Sequence, residues 1–201
     1  MDDVHDLLNN FIMAINQTIG KFIQTAGGRD FQRNNLFRIM SLKTRNLSLT
    51  EEDLVYAKGA KIPSRETPVG DNVKYMGMTL PYTKSTVSYP GNTAYDITFY
   101  VDAKNELAQK FERASRLGFN DLSTTGDWRF PTLSDEMTVV VLNNKLEPID
   151  YIHFYGVSFV KFGEIAFDIA GGDGSSIEIP CTISYLYYKR KGSDTVYAGN
   201  A

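Results

Sequence analysis

Hydrophobic and polar residues alternate strictly along residues 95–102, and the period then changes. One face of this stretch carries four apolar side chains, Tyr95, Ile97, Phe99 and Val101. This alternation predicts a half-buried strand. Apolar residues then return at helical spacing, at Leu107, Phe111 and Ala114. Asp102 is a suitable N-cap and Gly118 a suitable left-handed stop, so the pattern predicts a flanking helix over about 103–117.

The N-terminus carries a second and longer helical pattern, over about 3–25. Its apolar stripe comprises Val4, Leu7, Leu8, Phe11, Ile12, Ile15, Ile19, Phe22 and Ile23. Asp2 or Asp3 can cap this amphipathic helix, and Gly27-Gly28 can end it and act as a hinge. The helix could pack on its own domain, or be a detachable arm that buries its stripe on a neighbouring subunit. A membrane-surface role is disfavoured, because Lys21 is the only basic residue on its polar face.

The arm therefore occupies 1–28, and a single domain follows at 29–201. For an inter-subunit arm, the expected contact residues are Leu7, Leu8, Phe11, Ile12, Ile15, Ile19 and Phe22.

The rest of the chain is mostly strand-like. Strand-prone runs occur, in chain order, at 31–40, 54–62, 73–80, 85–89, 137–142, 149–159, 163–169 and 176–189, and 46–53 is polar and turn-like. The last run alternates cleanly, with one face formed by Ile177, Ile179, Cys181, Ile183, Tyr185 and Tyr187.

Two segments look suited to contact with another protein. Strand-prone residues flank a polar tip between Ile62 and Tyr82, which predicts a long hairpin projecting from the body. Residues 119–136 form a long connection without a predicted element of its own, and such loops usually serve binding. Its contact candidates are Trp128 and Phe130.

Composition places the chain among ordinary soluble domains. It has 201 residues, 42% hydrophobic and 22% charged, with a formal net charge of −3. This charge argues against a nucleic-acid-binding surface. The single cysteine, Cys181, excludes an internal disulfide framework. No apolar run is long enough to span a membrane, and Asp2-Asp3 is not the start of a secretory signal.

The chemical inventory argues against an enzyme. His5 and His153 have no partners at metal-ligand spacing, so the sequence predicts no metal site and no cofactor. Cys181 alternates onto the apolar face and is expected to be a buried, inert thiol. The glycines at 171–174 fit a tight turn, because they lack the Lys-Ser/Thr of a phosphate loop. No carboxylate pair can be assigned to a catalytic cleft.

The order of these motifs resembles the tail-tube proteins of contractile-tailed bacteriophages. The matching motifs, in chain order, are Asn34-Asn35-Leu36-Phe37, the run 57–63, the hairpin, Pro90-Gly91, the strand and helix of 95–111, Gly156, the run 163–168 and the tyrosine-rich end at 185–188. The match covers about 31–189. Order and spacing carry it, since no single motif is specific.

The resemblance implies a mainly β fold, with two antiparallel sheets packed as a sandwich or barrel beside one flanking helix. It further implies six subunits in a ring, stacked rings forming a tube inside a sheath, and DNA passing through the lumen without specific binding. The type VI secretion tube protein shares this fold. The protein would be a virion tail component made in the host cytoplasm, with no membrane contact. The hairpin residues expected to contact the adjacent ring are Ile62, Pro63, Arg65, Val69, Val73, Tyr75 and Met76.

The N-terminal arm precedes the usual start of that family. An extra arm would suit a ring that joins the tube to the baseplate, since its two faces meet different partners. The sequence therefore favours the baseplate-proximal, tube-initiating ring over the main tube protein. One alternative is a β-sandwich module binding carbohydrate or a protein ligand through Trp128 and three tyrosines, Tyr151, Tyr155 and Tyr187. Another is a hydrolase that depends on His153.

Overall fold

The computed structural model describes residues 33–126, 129–167 and 174–191. These residues form twelve strands and two helices. In chain order the strands are β1 (Phe37–Lys43), β2 (Ala57–Gly59), β3 (Val73–Tyr75), β4 (Met78–Leu80), β5 (Tyr95–Tyr100), β6 (Phe119–Asn120), β7 (Thr125–Gly126), β8 (Glu136–Leu142), β9 (Pro148–Tyr155), β10 (Ser158–Phe162), β11 (Glu178–Ser184) and β12 (Tyr187–Arg190). The helices are α1 (Glu51–Leu54) and α2 (Glu106–Gly118).

Two four-stranded antiparallel sheets make up the body. The first sheet has the order β1-β8-β9-β12, and the second has the order β10-β11-β5-β2. The pairs β3-β4 and β6-β7 form separate two-stranded sheets. The predicted fold class is confirmed: the protein is mainly β with few helices. Across the three described ranges the two larger sheets remain open, so the arrangement is a sandwich and not a closed barrel.

The core lies between the two large sheets, where side chains of β1, β8 and β9 meet those of β5 and β11. The first sheet contributes Ile39, Leu42, Met137, Val139, Ile152 and Phe154. The second sheet contributes Tyr95, Ile97, Phe99, Ile179, Cys181 and Ile183. The strict alternation predicted for 95–101 is therefore the alternation of the β5 core face, as the burial pattern of that strand shows.

The flanking helix α2 begins a few residues later than the sequence predicted. Its N-cap is Asn105, in a left-handed conformation. Asp102 still provides hydrogen-bond acceptors for the first turn of the helix. Its carboxylate accepts hydrogen bonds from the Glu106 and Leu107 amides, each at 3.0 Å. The helix buries Phe111 against Phe99, with ring centroids 5.4 Å apart. This contact attaches the helix to the second sheet.

The prediction of one strand over 149–159 was wrong. The chain leaves the first sheet after β9 and enters the second sheet as β10. Gly156 makes this change possible, because its φ is +64° and a Cβ there would lie 2.5 Å from Leu186. The predicted strand at 163–169 was also wrong for 163–167, which are irregular, and 168–169 lie outside the described residues.

The final predicted strand, 176–189, is likewise two strands in two sheets. β11 ends at Ser184, Tyr185 is buried, and the chain resumes as β12 in the first sheet. This break shifts the alternation by one residue. Tyr188 packs on the core, whereas Tyr187 stacks on Tyr155 with ring centroids 5.1 Å apart. The assignment of Tyr187 to the same face as Ile183 was therefore wrong.

Three shorter predictions also need correction. The first strand begins at Phe37 and not at residue 31. The run 85–89 contributes only an isolated bridge, between Glu66 and Ser88. The long connection at 119–136 contains the small β6-β7 hairpin.

Residues 46–62 form a helical turn and a short strand, where the sequence predicted a turn and a longer strand. Thr50 caps α1 in a capping box with Asp53. The Asp53 carboxylate also accepts hydrogen bonds from Lys110 of α2, at 2.7 Å to each oxygen. This part-buried ion pair joins α1 to α2, and nothing in the sequence pattern indicates it.

We expect the Asp53–Lys110 pair to make stability sensitive to acid. Burial would raise the pKa of Asp53, but hydrogen bonds from Lys110 and Thr50 outweigh that effect and lower the pKa below its ordinary value of 3.8. A lowered pKa in the folded state stabilises the fold above the ordinary pKa, and this stabilisation is lost as pH falls through the folded-state pKa.

Lys110→Met should therefore lower the free energy of unfolding by about 1–2 kcal/mol at neutral pH. The difference from wild type should shrink below about pH 4, where Asp53 becomes protonated in the unfolded chain. Urea unfolding at several pH values measures both effects. Lys104→Met, at an exposed position, is the control and should change stability little. An equal loss in both variants would contradict the role of the pair.

Candidate assembly surfaces

A two-stranded ribbon extends from the sandwich between residues 66 and 88. Paired backbone hydrogen bonds join Glu66 to Ser88 near its base, at 2.9 Å in both directions. Strands β3 and β4 form its far end. Met76 and Gly77 make the turn with φ values of +47° and +80°, as a two-residue turn of type I′ requires. A projecting hairpin is therefore present, but its tip is Met76-Gly77, inside the run 73–80 predicted as one strand, and not the polar segment that the sequence indicated.

The far end of the ribbon has one apolar face and one polar face. Side chains directly opposite one another across an antiparallel pair lie on the same face. The pairs Val73–Leu80 and Tyr75–Met78 form the apolar face, whereas the intervening pair Lys74–Thr79 lies on the other face. The four apolar side chains are 43–65% exposed. We call these four residues the ribbon face.

Tyr188 of β12 fixes both ends of the ribbon to the body. Its hydroxyl donates a hydrogen bond to the Pro63 carbonyl, at 3.1 Å, just before the ribbon begins. Its ring meets Tyr89, just after the ribbon ends, with centroids 5.6 Å apart. The base of the ribbon is therefore held by the core, while its far end extends away from it.

The candidates proposed from sequence divide between the ribbon and its base. Four of the candidates are exposed on the ribbon: Val69, Val73, Tyr75 and Met76. Ile62 and Pro63 lie at its base, and Arg65 directly precedes its first residue, Glu66. Sequence reasoning missed Met78 and Leu80. The register could have identified them, because a two-residue turn at Met76-Gly77 places them opposite Tyr75 and Val73.

The remaining contact candidates from the sequence are Phe130, Trp128 and the arm residues. Phe130 is 74% exposed and lines a cleft of about 500 Å³ together with Arg45 and Arg129. Trp128 and all seven arm candidates lie outside the described residues. In the small β6-β7 hairpin, Leu122 is 96% exposed and adds an apolar contact point that the sequence did not indicate.

The outer face of the first sheet carries the tyrosines of the alternative binding-module hypothesis. Tyr155 stacks on Tyr187, and Tyr151 stacks on His153 with centroids 6.2 Å apart. His153 Nδ1 lies 3.1 Å from the Thr138 hydroxyl, within hydrogen-bond distance. These side chains are half-buried on a sheet surface. The ring contact of His153 with Tyr151 and its hydrogen bond with Thr138 involve no carboxylate that would orient the imidazole as in a hydrolytic triad.

Cys181 is a core side chain, as the sequence predicted. It is fully buried in β11, and burial raises its pKa to about 12, with a smaller contribution from Asp96. Within the described ranges, no group of three His, Cys, Asp or Glu residues could hold a metal ion. No helix in that part of the chain is long and apolar enough to cross a membrane.

No family model and no curated protein matches the sequence. Solved structures do match the fold. A chain of the sixfold-symmetrised baseplate of the anti-feeding prophage matches with a TM-score of 0.53 and 12% identity, covering 81% of this chain and 96% of that one.

Two chains of PVC, an extracellular contractile injection system, also match. One comes from the extended sheath–tube complex, with a TM-score of 0.50 and 11% identity, covering 83% of this chain and 95% of that one. The other comes from the extended sheath/tube terminator, with a TM-score of 0.51 and 6% identity, covering 81% and 97%. These are structural assemblies and not enzymes. The resemblance to tail-tube proteins is thus confirmed at the level of the fold.

The burial of Cys181 makes a direct prediction for thiol chemistry. The native protein at pH 8 should react with a soluble disulfide reagent far more slowly than the urea-unfolded protein, because the thiol is both shielded and protonated. Absorbance of the released thiolate measures the rate. A Val55→Cys variant, at a position that is 73% exposed, serves as the reactive control. Equal rates in the native and unfolded wild type would place the thiol at the surface.

Proposed function

We propose that this chain is a non-enzymatic structural subunit of a contractile phage tail. Six copies form a ring of the tail tube, and DNA passes through the ring without specific binding. The ring is the baseplate-proximal one, which initiates the tube. The ribbon face carries the proposal, because it is an apolar surface on an extension that its own domain leaves uncovered.

The comparisons support the proposal in two ways. The fold spans 95–97% of the matched chains, so this chain contains nearly the whole of a domain used in such assemblies. One matched chain belongs to a sixfold-symmetrised baseplate, which agrees with six subunits and with a position near the baseplate.

Open sheet edges are a second observation that favours self-assembly. The first sheet ends at β1 and β12, and the second ends at β10 and β2. Exposed edges invite pairing with other chains, and natural proteins usually protect them. We infer that adjacent copies join through these edges within the ring, while the ribbon reaches the adjacent ring. Sheath contacts would then fall on the outside of the tube.

The choice between the initiating ring and the main tube depends on the N-terminal arm. A main tube protein stacks on copies of itself, so a single kind of ring contact suffices. A ring between baseplate and tube needs a second kind of contact, which the predicted arm at 1–28 can supply. The main tube protein is the second candidate, favoured by the match to the sheath–tube complex.

Electron microscopy and mass photometry of the purified chain test the assembly. We expect six-subunit rings at high protein concentration that do not grow into long tubes without a baseplate partner. Long tubes formed by the protein alone would favour the main tube protein instead. Monomers at every concentration, both alone and with baseplate proteins, would overturn the proposal.

Substitution on the ribbon tests its role in stacking. Tyr75→Ser with Met78→Ser removes two large apolar side chains from the ribbon face. Burial of such a side chain contributes roughly 1.5–3 kcal/mol, so ring stacking should weaken at least about a hundredfold. Rings themselves and the unfolding temperature should change little.

Lys74→Ser with Thr79→Ser is the matched control, because it changes the same strands on the opposite face. Sedimentation velocity of the two double variants, mixed with ring-binding partners, gives the comparison. Equal stacking by the two variants would show that the ribbon face is not the contact.

A further inference from the structure

An apolar groove lies where the described chain enters the sandwich. Val139 and Val141 of β8 form its nearly buried floor, while Phe37 and Ile62 stand on opposite walls. The groove has a volume of about 330 Å³. It lies apart from the ribbon face, so ring stacking through the ribbon would leave it unoccupied.

Both walls of the groove are held in place by hydrogen bonds. On one wall the Lys61 amide donates to the Tyr95 hydroxyl at 2.8 Å, and that hydroxyl donates back to the Lys61 carbonyl. Tyr95 is itself buried, and burial raises its pKa to about 12, so the hydroxyl keeps its proton. On the other wall the Leu142 amide donates to the Leu36 carbonyl at 2.9 Å. The groove is therefore preformed.

The rim of the groove is basic. Arg33 and Lys61 line it and are both exposed, and among the described residues no carboxylate lines it. A segment with apolar side chains beside acidic ones would fit this groove, because its apolar side chains would cover the floor and its carboxylates would pair with the basic rim.

The chain itself contains such a segment. Residues 1–32 lie outside the described residues, and this segment joins the described chain at Arg33, on the groove rim. Its sequence places three acidic residues, Asp2, Asp3 and Asp6, beside the apolar Leu7, Leu8 and Phe11. The first Lys or Arg of the segment is Lys21. Its start therefore has the charge and the apolar side chains that the groove would accept.

Chain length argues against a groove filled by its own arm. A helix over 3–25 would place its first residue about 33 Å from its last. The eight-residue connection from Thr25 to Arg33 spans at most about 29 Å when fully extended. In its own chain, Asp3 of such a helix would fall short of Arg33, and Asp6, Leu7 and Leu8 would reach it only with the connection almost fully extended. A neighbouring groove carries no such restriction.

We propose that the acidic first turn of the arm, with Leu7, Leu8 and Phe11, docks in the groove of a second copy of this chain. Asp side chains meet Arg33 and Lys61 at the rim, and the apolar side chains cover Val139 and Val141. This inference rests on the proposed ring, since it names the surface that receives the arm. It adds an arm-to-groove contact to the contacts made by sheet edges and ribbons.

Disulfide trapping between full-length chains tests the contact. One preparation carries Leu8→Cys, a second carries Ile62→Cys, and each has a different affinity tag. The native Cys181 thiol is buried and should give little background. After mixing and mild oxidation, a dimer bearing both tags should form several-fold more than with Val55→Cys, a control at an exposed site outside the groove lining.

Charge reversal separates specific docking from chance collision. Arg33→Glu with Lys61→Glu, in the chain carrying Ile62→Cys, should lower the mixed-tag yield about three- to tenfold. Asp3→Lys with Asp6→Lys in the partner chain should restore it. Lys104→Glu, at an exposed site on another surface, should leave the yield unchanged.

A mixed-tag yield no higher than the Val55→Cys control would overturn the inference. So would a Leu8→Cys/Ile62→Cys double variant that closes its disulfide only within one chain. Electron microscopy of the same samples separates this result from the proposed function. Rings without the mixed-tag dimer would refute the arm contact alone, whereas the loss of both would count against both proposals.

Discussion

The packing of aromatic rings around Phe154 holds this protein together and also sets its outer surfaces. Phe154 is fully buried in β9, and its ring lies 5.3 Å from that of Tyr95, 5.1 Å from Tyr185 and 5.9 Å from Tyr188. Tyr95 belongs to the second sheet and Tyr188 to the first, so the cluster joins the two layers. Aromatic pairs in such geometry add stability beyond the area that they bury.

Two tyrosine hydroxyls at the edge of this cluster fix neighbouring surface segments by hydrogen bonds. The Tyr188 hydroxyl holds Pro63 at the base of the ribbon, and the Tyr95 hydroxyl holds Lys61 in the groove wall. An isolated two-stranded hairpin is at best marginally stable in water. The ribbon therefore depends on the core at one end and would gain from a partner at the other.

A sandwich built in this way leaves much of its potential contact surface unused. Each large sheet packs one face on the core, and within the described residues its edge strands have no further strand beside them. The ribbon face and the groove are separate apolar surfaces with different neighbours in the fold. A subunit inside a tube needs several contacts of this kind, whereas an enzyme needs one cleft with convergent polar groups. This distribution of surfaces supports the proposed structural role.

The sequence by itself determined the local features of this protein. It predicted the alternating strand at 95–101, the helix after it, the presence of a projecting hairpin (though not the position of its tip) and the buried thiol of Cys181, because periodicity and turn residues act over a few positions. The tertiary structure alone decided where the strands change sheets, at Gly156 and at Tyr185-Leu186. It also decided the pairing of Asp53 with Lys110 and the attachment of the ribbon to Tyr188. These features join residues 57 and 125 positions apart, and a local pattern of polar and apolar residues contains no information about such distant partners.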